Sequence, residues 1–216
     1  MTTLTLKPIE FKATHLEELG ERVIAAFYPL IDDFRVLRET NLKSLIRSEA
    51  HTLAELVKYG CIILTPPYYV AFTERLETFL SQYGEMVLGI TQVPTSHFLG
   101  GELLTPISSL SRLQGYREIG AITIAKASSK NKTAYVSTWQ SPNRTNPQTN
   151  FRNLLRISTH EIGHIFGLEH HEEEQKTRSG KLCLMSSNPR QIQQTDYIFC
   201  DRCYGKLGIS APNLRT

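Results

Sequence analysis

His160-Glu161-Ile162-Gly163-His164-Ile165-Phe166-Gly167-Leu168-Glu169-His170 is the stretch that decides how this chain is read. The pattern is H-E-x-x-H-x-x-G-x-x-H. A helix turns about 100° and rises about 1.5 Å per residue, so His160 and His164 share one face and can share one metal ion. Glu161 falls between them in angle and overhangs the site without having to ligate. A third histidine on the same straight helix would lie about 9 Å further along the axis. Gly167 removes that obstacle, because glycine takes positive φ cheaply and commonly sits just past a helix end. The chain can then turn and bring His170 back to the metal. Three nitrogen ligands and an open fourth position describe a catalytic zinc site, whose water is acidified toward a pKa of about 7. Glu161 is the candidate general base for that water, and the donor of its proton to a leaving amine. A bare H-E-x-x-H also arises on ordinary helices with no metal. Gly167 and His170, at the one spacing that closes a site, are what point to zinc.

With this motif and the residues after it, the chain resembles the archaemetzincin family of metzincin zinc metalloproteases. In that family a methionine turn lies beneath the zinc. Four cysteines hold a second, structural zinc: one directly after the third histidine, one in a Cys-x-Met and two in a Cys-x-x-Cys. Cys183-Leu184-Met185 matches the Cys-x-Met, and Cys200-Asp201-Arg202-Cys203 matches the Cys-x-x-Cys. The resemblance therefore implies Met185 as the Met-turn residue and Cys183, Cys200 and Cys203 as structural ligands. It covers roughly residues 151–203. Upstream, Val87-Leu88-Gly89-Ile90-Thr91 and Ser109-Leu110-Ser111-Arg112-Leu113 are loosely similar to the family's strand and loop segments.

One departure is informative. His171, not cysteine, follows His170, and the polar, acidic stretch up to Cys183 is longer than the family's spacer. It reads as a surface loop. Histidine is an ordinary ligand in Cys₃His structural sites. The expected second zinc is therefore held by His171, Cys183, Cys200 and Cys203, giving two zinc ions per chain. The alternative is that Cys200 and Cys203 form a reduced thiol pair or a redox motif. Such a motif is expected near the start of a helix in a βαβ unit, whereas this one follows Tyr197-Ile198-Phe199 near the C-terminus.

Composition bounds the rest. The 216 residues suit a single domain with a sizeable core. A hydrophobic content of 40% and a charged content of 21% are ordinary for a globular protein. The net charge of +3 is too small, and its Lys and Arg too scattered, to indicate nucleic acid. No stretch has the length of a transmembrane helix, and residues 1–8 hold no apolar signal core. Of the four cysteines, only Cys61 is left over, and its apolar neighbours Ile62, Ile63 and Leu64 suggest a small core residue. That usage points to a reducing, cytoplasmic setting. No cysteine occurs before Cys61, so a cysteine-switch propeptide is not expected.

Periodicity places the motif in a larger frame. Residues 13–27 and 32–60 read as helical, and 69–83 as an amphipathic helix after the Pro66-Pro67 break. Residues 86–93, 119–127 and 133–139 read as strands, and 141–150 as a loop. The motif helix is expected over 151–166, capped by Thr149 or Asn150. The fold class is α/β (α+β). The resemblance implies a twisted mixed sheet with the zinc helix packed on it, followed by a small irregular lobe stapled by the second zinc. The expected organisation is one domain, with an upper lobe over 1–167 and a C-terminal lobe over 168–216. Among other residues, Arg152 and Arg156 either meet a substrate carboxylate or form a solvated helical face. Tyr197 either donates to an oxyanion or packs. His97 with Gly100-Gly101 either rims a cleft or turns the chain. Glu172, Glu173 and Glu174 read as a solvated loop.

The function these features describe is zinc-dependent hydrolysis of peptide bonds. The expected partner is a peptide or protein substrate, with no nucleic acid or membrane. In metzincins such a peptide adds as a strand along an upper-rim edge strand, here within residues 95–139. Two alternatives belong to other classes: a zinc-stabilised binding or regulatory protein, and a zinc amidase acting on non-peptide amides.

Overall fold

The computed structural model describes residues 2–9, 11, 15–40, 61–64, 68–91, 95–96, 122–123, 125–138, 147–171, 174–186 and 198–211. In chain order its elements are β1 (Thr3–Ile9), α1 (Leu16–Phe27), β2 (Asp33–Val36), β3 (Cys61–Leu64), β4 (Tyr68–Phe72), α2 (Thr73–Leu80), β5 (Met86–Thr91), β6 (Thr95–Ser96), β7 (Ile122–Thr123), β8 (Ala125–Ser128), β9 (Thr133–Ser137), α3 (Pro147–Ile165) and α4 (Asp201–Leu207). The main sheet has the order β2-β1-β5-β9-β8. Its first four strands are parallel, and β8 returns antiparallel to β9 at the edge. A second sheet has the order β3-β4-β6-β7.

Alternation along the central strands builds the layers. Leu4, Leu6, Met86, Leu88, Ile90, Ala134 and Val136 face one side and form a single core with residues of α1 and α3. Ile9, Val87 and Tyr135 join Leu76, Phe79 and Leu80 of α2 in a second cluster. Strands covered on both faces read as continuous apolar runs, and all six residues of β5 are buried. α3 packs across β8 and β9 and beside α1. Phe27 closes α1 onto the far end of α3, its ring 5.4 Å from Phe166 and 5.3 Å from Phe199. After α3, the only helix among the described residues is α4, and isolated bridges join His171 to Ser186 and Lys176 to Leu182.

The mixed sheet and the packed motif helix agree with the α/β reading, while several elements differ from the periodicity. The N-terminal segment forms a central strand, β1, although Lys7 and Pro8 interrupt its apolar run. Lys7 is accommodated because its amine donates to the Arg38 carbonyl at 2.7 Å and lies over the Tyr83 ring. Residues 33–36 extend as β2, parallel to β1, instead of starting a helix; residues 41–60 lie outside the described set. Residues 68–72 form β4, and the helix begins only at Thr73, because Tyr-Tyr-Val-Ala-Phe favours a pleated surface. The 119–127 segment divides between β7 and β8, which belong to different sheets. α3 starts at Pro147, four residues early, since proline fits the first helical turn. Thr149 and Asn150 are thus inside the helix and not its cap. Cys61 lies in β3. His97, Gly100, Gly101, Glu172, Glu173, Tyr197 and residues 109–113 fall outside the described residues. No helix of the described residues is long and apolar enough to cross a membrane.

Candidate metal centres

The end of α3 shapes the first centre. Gly167 has φ +81°, its N–H donates to the His164 carbonyl at 3.0 Å, and the Leu168 N–H donates to the Gly163 carbonyl at 3.0 Å. This pair of bonds around a left-handed glycine is a Schellman cap. It reverses the chain and returns His170 toward the helix. The three imidazoles meet there, with Nε2 separations of 3.0 Å (His160–His170), 3.1 Å (His160–His164) and 3.2 Å (His164–His170).

The hydrogen bonds on the other ring nitrogens say what these contacts are. His160 Nδ1–H donates to the Leu184 carbonyl at 2.8 Å, and His164 Nδ1–H donates to the Leu168 carbonyl at 2.7 Å. Carbonyls only accept, so in neutral rings both Nε2 atoms carry lone pairs and no hydrogen. Burial pushes His160 down to about 4, which keeps that ring neutral at ordinary pH. Two lone pairs facing each other at 3.1 Å cannot bond to one another. A cation between them resolves the contact. Tetrahedral zinc with bonds of about 2.0–2.1 Å separates its nitrogen ligands by about 3.3 Å, which the observed triangle matches.

Glu161 is buried in the same helix turn, 7% exposed, and burial pushes its carboxyl up to about 8. Met185 is fully buried beneath the helix. Gly163 lets it approach: a Cβ at that position would stand 3.1 Å from Met185 Sδ and 3.4 Å from Phe199 Cε1. Arg152 on α3 is exposed and Arg156 is half-buried.

The second centre has different chemistry. His171 Nε2 lies 3.3 Å from Cys183 Sγ, 3.4 Å from Cys200 Sγ and 3.3 Å from Cys203 Sγ. Cys203 Sγ is 3.8 Å from both Cys183 Sγ and Cys200 Sγ. Zinc bonds of about 2.3 Å to sulfur and 2.0–2.1 Å to nitrogen, at tetrahedral angles, predict about 3.8 Å between sulfurs and about 3.6 Å between sulfur and nitrogen. The donor set fits that ion closely. A disulfide would need about 2.05 Å, and all three cysteines are free. Cys200 does stand at the start of α4, the position a redox pair would use. Yet His171 and Cys183 converge on the same two sulfurs, so the group has four members. Hydrogen bonding from Cys203 brings the Cys183 thiol down to about 5; burial pushes Cys200 up, and the bond to Cys183 pushes Cys203 well up. Three thiolates do not coexist in this pocket without a cation, and a divalent metal would deprotonate all of them.

The residues singled out in the sequence thus fall into two groups, His160 with His164 and His170, and His171 with Cys183, Cys200 and Cys203. They differ in access. The four members of the second are buried, whereas in the first His170 is exposed and His160 and His164 are half-buried. What sequence reading missed are the Leu168 and Leu184 carbonyls that orient two of the rings. A backbone acceptor leaves no mark in residue identity.

No protein-family model and no curated protein matches this sequence. Solved structures do match it. The archaemetzincin from Archaeoglobus fulgidus superposes with a TM-score of 0.59 at 15% identity, over 95% of this chain and 99% of that one. The archaemetzincin from Methanopyrus kandleri gives 0.60 at 17%, over 95% and 93%. A zinc-dependent peptidase from Methanocorpusculum labreanum gives 0.53 at 15%, over 94% and 99%. The likeness spans nearly the whole of each chain, so this protein has the archaemetzincin fold.

Proposed function

We propose that this chain is a zinc-dependent metallopeptidase with one catalytic and one structural zinc. The observation that carries the reading is the contrast between the two clusters. Among the described residues, three histidines, one of them exposed, converge on one point, while four buried ligands complete the other set. A three-ligand site reachable from solvent leaves a position for water and substrate; a closed four-ligand site does not. The neighbouring folds include two archaemetzincins and a zinc-dependent peptidase, which supports the same class.

In this reading His160, His164 and His170 hold the catalytic zinc, and His171, Cys183, Cys200 and Cys203 hold the structural one. Zinc bound at the histidines would supply a Lewis acid able to polarise a scissile carbonyl and to acidify water. Glu161 takes a proton from the attacking water and returns it to the leaving amine. Its buried setting suits that shuttle, because a carboxyl kept from full solvation holds its proton more readily between the two transfers. The Leu184 and Leu168 carbonyls hold His160 and His164 in the tautomer that presents Nε2. Met185 serves as the Met-turn, a soft apolar base under the helix at Gly163. The domain divides at the helix end, with an upper lobe over 1–167 and a metal-stapled lobe over 168–216. The three unpaired thiols suit a reducing compartment such as the cytoplasm.

The test is Glu161→Gln. The zinc-loaded variant should keep its metal content and lose hydrolysis of a broad peptide library by at least about 100-fold, the usual span for a general base. Wild-type turnover by that variant would refute the assigned role. A zinc-replete wild type that cleaves no member of the library would refute the peptidase reading.

A further inference from the structure

Each member of the buried cluster is one peptide bond away from a residue that builds or braces the histidine cluster. His171 follows His170. Cys183 precedes Leu184, whose carbonyl accepts from His160 at 2.8 Å. Cys200 follows Phe199, which lies against α3 at Gly163. Cys203 precedes Tyr204, whose ring meets Phe199 edge-on at 5.7 Å. The two segments are tied directly as well: the His171 N–H donates to the Met185 carbonyl at 2.9 Å, and the Leu184 N–H to the Ile198 carbonyl at 3.3 Å.

Residues 168–171 and 182–186 belong to no helix or strand; isolated bridges, single backbone hydrogen bonds and the burial of Leu168, Leu182, Leu184 and Met185 hold them. The convergence of His171, Cys183, Cys200 and Cys203 adds one point at which both segments meet α4. We propose that the buried Cys₃His centre sets the metal affinity of the three-histidine cluster, so that the chain loads in order, buried centre first. The proposal rests on the reading that both clusters hold metal. With the centre filled, the backbone of His170 and the Leu184 carbonyl stand in place before an ion reaches the histidines. With it empty, the turn at Gly167 and the buried side chains hold His170 and the Leu184 carbonyl less firmly, so metal binding must supply the remaining order. Loss of such outer supports lowers metal affinity by roughly 10–100-fold. His171 and Cys183 are then positioning residues for a site they do not touch.

Cobalt(II) is a suitable probe, since thiolate ligation gives an intense near-ultraviolet charge-transfer band that histidine ligation alone lacks. The metal-free full chain is titrated with cobalt(II) against a competing chelator. The thiolate band is expected to rise first, and the visible bands of the histidine site second, to two ions per chain. In Cys203→Ser, checked for fold by circular dichroism, the histidine site should bind cobalt at least about tenfold more weakly. In His164→Ala the thiolate band should titrate as in the wild type. Two ions bound with the histidine bands rising at or before the thiolate band overturns the proposed order of loading, and the proposal with it, and leaves the two-metal reading standing. An unchanged histidine site in folded Cys203→Ser does the same. If Cys203→Ser does not fold, the wild-type order alone decides. Uptake of a single ion overturns the two-metal reading, and the coupling with it.

Discussion

Replacing Gly167 with alanine isolates the backbone contribution of the turn that returns His170. Gly167 has φ +81°, and nothing lies within 4 Å of where its Cβ would be. A new methyl therefore meets no neighbour, and any effect comes from the left-handed conformation itself. That conformation costs an L-residue roughly 1–2 kcal/mol. Alanine also narrows the unfolded ensemble, which returns about 0.4–1 kcal/mol. The net destabilisation is about 1 kcal/mol, or a melting-temperature drop of about 2–4 °C in a domain of this size. Asparagine tolerates left-handed φ better and should lose less, whereas a β-branched valine should lose more. Because the strain falls on the geometry that presents His170, zinc affinity should follow the same order, Gly > Asn > Ala > Val. A penalty of 1.4 kcal/mol corresponds to about tenfold in the dissociation constant. Thermal unfolding of the metal-free and zinc-loaded protein, with a chelator competition, measures both quantities. Alanine and valine variants with wild-type melting temperature and zinc affinity would refute the claim that this cap positions the third histidine.

Other perturbations test separate parts of the molecule. Zinc analysis of the purified protein should give two equivalents per chain and one in Cys200→Ser; one equivalent in both proteins would remove the second site. Phe27→Ala, at a fully buried ring packed on Phe166 and Phe199, should cost about 3–5 kcal/mol, seen as a fall in the urea midpoint with an unchanged slope. Met185→Leu, which keeps volume beneath the helix, should cost under about 1.5 kcal/mol, whereas Met185→Ala should cost about 2–5; equal effects would show that the space under Gly163 is not filled by this side chain. Arg178→Ala breaks a 2.8 Å ion pair to Asp201 whose partners are 68% and 65% exposed, so it should change stability by less than about 1 kcal/mol.

Legibility from the sequence followed the range of the interaction. The three-histidine cluster was legible because two of its histidines are set by helical period and the third by one glycine, all within eleven residues. Its cap has the hydrogen bonds that a left-handed glycine after a helix demands. The buried cluster draws on residues from 171 to 203, and no local rule brings Cys183 beside His171; a resemblance to a family supplied that grouping. The sheet was the least legible part. β1 and β2 pair in parallel across α1, and nothing in a seven-residue stretch with a lysine and a proline announces a central strand. Lys7 is buried there because a carbonyl thirty-one residues away and a tyrosine ring seventy-six residues away receive its amine. Likewise, residues 68–72 carry aromatic residues at spacings that a helix and a strand can both use, and pairing with β3 and β6 settles the choice. The Leu184 carbonyl belongs with these cases. It shapes the chemistry of His160 from twenty-four residues away, and it directly follows Cys183, a member of the second cluster. The motif specifies which atoms can meet a metal, while a distant, irregular segment supplies the carbonyls that orient His160 and bond the backbone next to His170.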